Sequence, residues 1–273
     1  MARRLPVSPA AIRRLLSEIE SSGGGEHVLA VGGASELAPV LRQQFLRGRA
    51  DPAAVRVGGP EGADVYVHVL AGEPSEQDAA VLRRATRARV PVIAVAVGPA
   101  GDGGAIPYVL ATDIVGARGG GRFPLEAIAR AIAVRLGEDG APLAARVPLL
   151  REAVCEQLVA SLARKNGWLA VWIRGANLPV LTLNELRLVL RLAQAYGVDN
   201  VRRRLPELAA TLGAGFGLRA LARKLLDLAP VAGWAVKGAV AYGGTRALGE
   251  AARQRFAPAA TPPPPAAAGP AAP

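Results

Sequence analysis

The residues best placed to do chemistry follow the first apolar run: Gly32-Gly33-Ala34-Ser35-Glu36-Leu37-Ala38-Pro39. A glycine pair ahead of a helix start can offer backbone N–H groups to an anion, so Gly32, Gly33, Ala34 and Ser35 are the candidate phosphate cradle. The spacing is incomplete for nucleotide chemistry. A Gly-x-x-x-x-Gly-Lys-Ser/Thr loop uses its lysine on the phosphates and its hydroxyl on Mg²⁺. Neither is present, Glu36 would repel phosphate from the first helical turn, and Gly-x-Gly-x-x-Gly is not met either. The competing reading is a tight strand-to-helix turn that glycine permits.

The other reactive side chains form no constellation. Ala71-Gly72-Glu73-Pro74 and Gly98-Pro99-Ala100-Gly101-Asp102 end later runs without a carboxylate cluster or a guanine-reading Asn-Lys-x-Asp. His27 and His68 lie within apolar runs, where a histidine with satisfied hydrogen bonds is commoner than a base. Asp113 ends the last run and reads as the cap of a turn; as a lone carboxylate it supports no acid–base pair. Ser35 and Ser75 have no neighbouring histidine and read as helix caps. Cys155 is the only cysteine, so no intramolecular disulfide forms, and with two histidines a His/Cys metal site is not expected. These residues predict no enzyme, no cofactor and no metal.

The elements that would position them are legible from periodicity. Ser8 caps a first helix with Pro9 at N1 and Ile12, Leu15, Leu16 and Ile19 on one face; Gly23–Gly25 ends it. Four short, nearly continuous apolar runs follow, 27–31, 64–70, 90–97 and 108–115, the pattern of strands buried on both faces. Residues 53–57 suit an extra edge strand. Helices are expected over 36–47 after Ser35, over 76–88 from a Ser75/Asp78 capping box, and over 124–136. This alternation predicts a mostly parallel, doubly wound sheet.

From Arg146 the spacing turns helical, with Val147, Leu150, Val154, Leu158 and Leu162 on one stripe. Asn166-Gly167 reads as a stop or kink, Trp168–Ile173 as an apolar run suited to continue the helix, and 175–179 as a loop. Thr182 and Glu185 then make a capping box, with Leu181 and Leu186 as its staple and Gly197 as the C-terminal stop. Leu186, Val189, Leu190 and Ala193 are the buried stripe of that helix. Further helices are expected over 200–212, 218–228 and 231–256, with Pro206 and Pro230 at starts or kinks and Gly213, Gly215 and Gly217 between them. In the last helix Ala235, Ala239, Gly243, Ala247 and Ala251 form an i+4 ladder of small residues. It suits a close-packed helical hairpin or self-association. The expected organisation is an N-terminal helix (1–24), an α/β domain (25–140), a helical domain (144–256) and an Ala/Pro tail (257–273).

The chain has 273 residues and a net charge of +11, with 51 % hydrophobic residues. Residues 1–145 hold 16 basic and 15 acidic side chains; residues 146–273 hold 17 and 7. Nearly all the excess charge therefore belongs to the helical half. Arg202–Arg204, Arg219, Arg223, Lys224, Lys237 and Arg246 rim apolar segments, and Trp234 and Tyr242 are amphipathic aromatics suited to a headgroup boundary. This predicts either a solvated charged face or a docking surface for a partner or an anionic membrane. With 4 % aromatic residues and no stacking platform, nucleic acid is not the expected partner. No secretory leader or membrane span is read from the sequence, so a reducing, cytoplasmic setting is expected, peripheral at the inner face of the membrane.

The stretches Leu178-Pro179-Val180-Leu181-Thr182, Leu192-Ala193-Gln194-Ala195-Tyr196-Gly197, Pro230–Gly238 and Tyr242–Gly249 resemble the bacterial family called domain of unknown function 697. The resemblance covers roughly 146–256. It implies a helical domain that often follows a Ras-like GTPase domain, with some members at the inner membrane and no established catalytic residues. The α/β half then looks like a degenerate GTPase-type domain, lacking the loop lysine, Asp-x-x-Gly and Asn-Lys-x-Asp. The leading expectation is a non-enzymatic scaffold or accessory protein, with a GTPase among its candidate partners. The alternatives are a nucleotide-binding switch at Gly32–Ser35 and a soluble subunit of a larger assembly.

Overall fold

A computed structural model describes residues 8–98, 105–117, 122–172, 178–198 and 233–257. The Val-rich runs form one parallel sheet of β1 (Leu29–Gly33), β2 (Val55–Val57), β3 (Val65–Leu70), β4 (Val92–Val97) and β5 (Ile114–Ala117). The strand order is β2-β1-β3-β4-β5, with every neighbouring pair parallel. That is the order of flavodoxin-type doubly wound sheets, in which the connections reverse direction between β1 and β3. The expected edge strand is β2. The expected last strand begins six residues late, because Tyr108 takes a left-handed backbone (φ 64°) and residues 111–113 form a 3₁₀ turn.

Eight helices are described: α1 (Pro9–Gly23), α2 (Leu37–Phe45), α3 (Glu76–Arg87), α4 (Leu125–Leu136), α5 (Gly140–Arg146), α6 (Pro148–Trp172), α7 (Leu178–Ala195) and α8 (Gly233–Phe256). The architecture is thus an α/β region followed by helices. Strand alternation divides the two faces of the sheet. Leu29, Val31, Val55, Val67, Val69, Ile93 and Val95 face one way and join a core continuous with α1, α2 and α4 through α8. Ala30, Tyr66, Leu70 and Ala94 face the other way, under Leu82 and Ala85 of α3. The helical half therefore extends the core of the sheet. Arg146 reinforces the junction: its guanidinium donates twice to Asp51 (2.8 and 3.0 Å) and once to the His27 carbonyl (2.9 Å). Those bonds hold the Asp51 carboxyl below its usual range.

Local signals decide several boundaries. Ser8 accepts from the Ala11 N–H with Pro9 at N1, and both halves of the Ser75/Asp78 capping box form. After α7, Gly197 (φ 68°) donates to Gln194 and Val198 donates to Ala193, a Schellman closure. Other expectations fail for identifiable reasons. Ser35 does not cap α2: Glu36 holds that position, without a side-chain bond. Thr182 and Glu185 do not stand at a helix start, because α7 already begins at Leu178, with Pro179 in the first turn where its missing N–H costs little. Asn166-Gly167 does not stop a helix; α6 runs through it. Asn166 is fully buried, donates to Thr245 Oγ1 (3.0 Å) and accepts from Asn184 Nδ2 (2.8 Å), so one amide ties α6 to α7 and α8.

The small-residue ladder is also displaced. Ala239, Gly243, Ala247 and Ala251 are exposed. The face of α8 that meets α6 carries Gly238, Thr245, Gly249 and Ala252 instead. A β-carbon on Gly238 would lie 2.9 Å from Val171 Cγ2, and one on Gly249 would lie 2.9 Å from Val159 Cγ1, so glycine sets the close approach there. No helix among the described residues is long and apolar enough to cross a membrane.

Candidate functional site

In open α/β sheets ligands sit outside the carboxyl ends of the strands where the connections reverse, here β1 and β3. Gly32, Gly33, Ala34 and Ser35 stand at that point, but the space beside them is filled by the chain itself. Gly32 pairs in register with His68, and a β-carbon on Gly32 would overlap the Tyr66 hydroxyl and come 2.7 Å from the Gly58 carbonyl oxygen. Gly33 has φ 93°, and its β-carbon would overlap the Val69 carbonyl oxygen. The Ala34 N–H is also committed, donating to Val69 O at 2.8 Å. Both glycines thus admit atoms of β3 and of the loop after β2. Of the two sequence readings, this geometry favours the tight turn.

What fills the space is a polar relay. Tyr66 and His68 alternate onto the α3 face of β3, and each is 1 % exposed. The Tyr66 hydroxyl lies 3.0 Å from His68 Nδ1, and His68 Nε2 lies 2.8 Å from Asp78 Oδ1. Asp78 Oδ2 accepts from the Ser75 N–H (2.9 Å) and hydroxyl (2.5 Å). Burial pushes the His68 pKa down against the pull of Asp78, so the ring is neutral near pH 7. With Nε2 protonated, Tyr66 donates to Nδ1 and Nε2–H donates to Asp78, leaving each group satisfied. Burial and the Asp78 charge push the Tyr66 hydroxyl up to about 12. Burial alone would raise the Asp78 pKa, but the Ser75 hydroxyl and N–H and then His68 outweigh it and hold the carboxyl low. The serine bonds to the carboxylate rather than the imidazole, and the hydroxyl that does face the imidazole, Tyr66, is buried and held in its protonated form. These bonds fasten the N-terminus of α3 to β3.

The sign of its pH dependence follows. The folded His68 binds a proton less readily than an unfolded histidine of pKa about 6.5, so stability is complete above that pH and declines as pH falls below it. The depressed Asp78 adds a loss in the same direction at lower pH. Thermal melts are expected to show the first decline at about 1.4 kcal/mol per pH unit at most. His68→Gln, which keeps a donor for Asp78 but does not titrate there, is expected to flatten that part of the curve. An unchanged slope in the variant would remove His68 from the account.

The remaining candidates are dispersed. His27 Nε2 bonds the Ser22 carbonyl (2.7 Å), just before β1. Asp113 is buried under Arg135 of α4, whose Nε donates to it at 2.6 Å, so it holds an element in place rather than capping a turn. Cys155 is fully buried, which pushes its thiol up to about 12. Among the described residues, no group of three or more His, Cys, Asp or Glu is placed to share a metal ion. On α8, Arg246 donates to the Tyr242 hydroxyl at 3.3 Å. The side chains of Trp234 and Lys237, and all of Arg202–Arg204, Arg219, Arg223 and Lys224, lie outside the described residues. Sequence reasoning missed Tyr66 and Asp78. The signals were the two-residue spacing of Tyr66 and His68 and the capping box that fixes Asp78. It also missed Trp168, two-thirds exposed beside Tyr242. Comparison with protein-family models, curated proteins and solved structures finds no match.

Proposed function

We propose that this chain is a non-enzymatic scaffold or accessory protein at a membrane surface, with a degenerate, GTPase-like α/β half and a basic helical half that docks. The observation that carries the reading is how closely β3 packs on the Gly32-Gly33 turn. A β-carbon on either glycine would meet the Tyr66 hydroxyl or the Val69 carbonyl, and the Ala34 N–H, which a phosphate would need, already donates to Val69. The absent loop lysine, Asp-x-x-Gly and Asn-Lys-x-Asp agree with it. The resemblance of 146–256 to the domain of unknown function 697 family supports a protein partner, a GTPase among the candidates, and a place at the inner face of the cytoplasmic membrane. The exposed row of Ala239, Gly243, Ala247 and Ala251 suits self-association with a second copy.

The test is titration calorimetry of GTP, GDP and ATP into the full chain with Mg²⁺. No saturable heat is expected up to millimolar ligand. A dissociation constant at or below about 100 µM, worth about 5.5 kcal/mol, would establish the nucleotide switch instead.

A further inference from the structure

The distal end of the α6–α8 pair carries a surface that the α/β half does not cover. A groove of about 310 Å³ runs between the two helices, floored by Gly167 and Gly238 and walled by Trp168, Val171 and Tyr242, with Arg164 on its edge. Trp168 is 66 % exposed, which is unusual for the largest amphipathic side chain when nothing polar holds it. Asn184 of α7 bonds Asn166, which brings the preceding turn of α7, with exposed Val180, to the same end.

Among the described residues the exposed charge there has one sign. Residues 157–172, 178–184 and 233–249 contain no Asp or Glu. Arg164, Lys165 and Arg246 are exposed and form no ion pair among the described residues. The acidic partners of the bundle, Glu138, Asp139, Glu152 and Glu250, serve Arg187, Arg191 and Arg253 elsewhere on it. An apolar tip bearing Trp168 and Tyr242, beside exposed cations that have no ion pair among the described residues, is complementary to the headgroup layer of an anionic bilayer. The rings fit the interface, the cations meet phosphates, and the valines reach the acyl boundary.

We infer that this tip, centred on Trp168 and the Arg164/Arg246 pair, is where the protein contacts anionic phospholipid. The inference rests on the membrane-surface reading above and adds the surface that serves it. It predicts shallow docking through the tip.

The test is flotation of the full chain with vesicles of phosphatidylglycerol and phosphatidylcholine, and with phosphatidylcholine alone. Two variants accompany it, Trp168→Ala and Arg164→Glu/Arg246→Glu; all three positions are exposed, and thermal melts check that folding is kept. Wild type is expected to float with the anionic vesicles and to lose binding with added salt or on neutral vesicles. Each variant is expected to bind about tenfold more weakly. Wild-type binding undiminished in both variants would overturn the tip while leaving membrane association standing. No flotation of the wild type at low salt would overturn both, and would point the same cationic, aromatic face toward a protein partner.

Discussion

Replacing Gly33 with alanine is expected to destabilise the protein by about 3–5 kcal/mol, among the largest losses available from adding one methyl group. Two costs combine. At φ 93° an L-residue is strained, at about 1–2 kcal/mol. The new β-carbon would also overlap the Val69 carbonyl and lie 2.8 Å from the Val69 nitrogen, both in β3 at the middle of the sheet. Neither atom is the end of a flexible side chain, so relief requires the strands to part. Thermal unfolding is expected to fall by roughly 6–20 °C. A loss below about 1 kcal/mol would mean that β1 and β3 separate freely at their ends, and an anion crevice would again be plausible there.

Asn166→Ala is expected to cost about 2–4 kcal/mol. The amide sits where α6, α7 and α8 meet, with Thr245 and Asn166 fully buried and Asn184 nearly so. Thr245 keeps a partner after the change, because its hydroxyl donates to the Ala241 carbonyl at 2.9 Å. Asn184 loses the acceptor for its amide, and the vacated volume lies among helices already in backbone contact near Gly167 and Gly238. Denaturant titration with the Asn166→Ala/Asn184→Leu pair separates the terms. The second change removes the orphaned amide, so the pair is expected to lose less than the sum of the single losses. Additive losses would show that the two amides do not share a bond.

The elements with self-contained signals were legible in the sequence. The Ser75/Asp78 box, the Ser8-Pro9 start and the Gly197 stop each depend on atoms within a few residues, and each forms. The buried parallel strands were legible from their unbroken valines. Signals that tertiary contacts can override were misread. Asn166-Gly167 has the composition of a stop, yet its polar group is satisfied by two other helices and its glycine by the proximity of α8. The ladder of α8 has the right period and the wrong phase: periodicity finds a stripe of small residues, while packing against α6 selects the Gly238–Thr245–Gly249–Ala252 side. Thr182 and Glu185 have the spacing of a capping box but lie inside a helix that had already begun. At the crevice the sequence left two uses of Gly32-Gly33 open, because the group that decides between them, Tyr66, lies more than thirty residues away on the neighbouring strand.

The central claim is that Gly32 makes room for Tyr66 and not for a ligand, and a double-mutant cycle of Gly32→Ala and Tyr66→Phe tests it most directly. The phenylalanine removes the hydroxyl that the alanine methyl would overlap, while the Gly58 carbonyl stays in place, so the relief is partial. The account predicts that Gly32→Ala costs at least about 1 kcal/mol less in the Tyr66→Phe background than in wild type. An equal cost in both backgrounds would contradict it, because the space beside Gly32 would then belong to something other than the tyrosine.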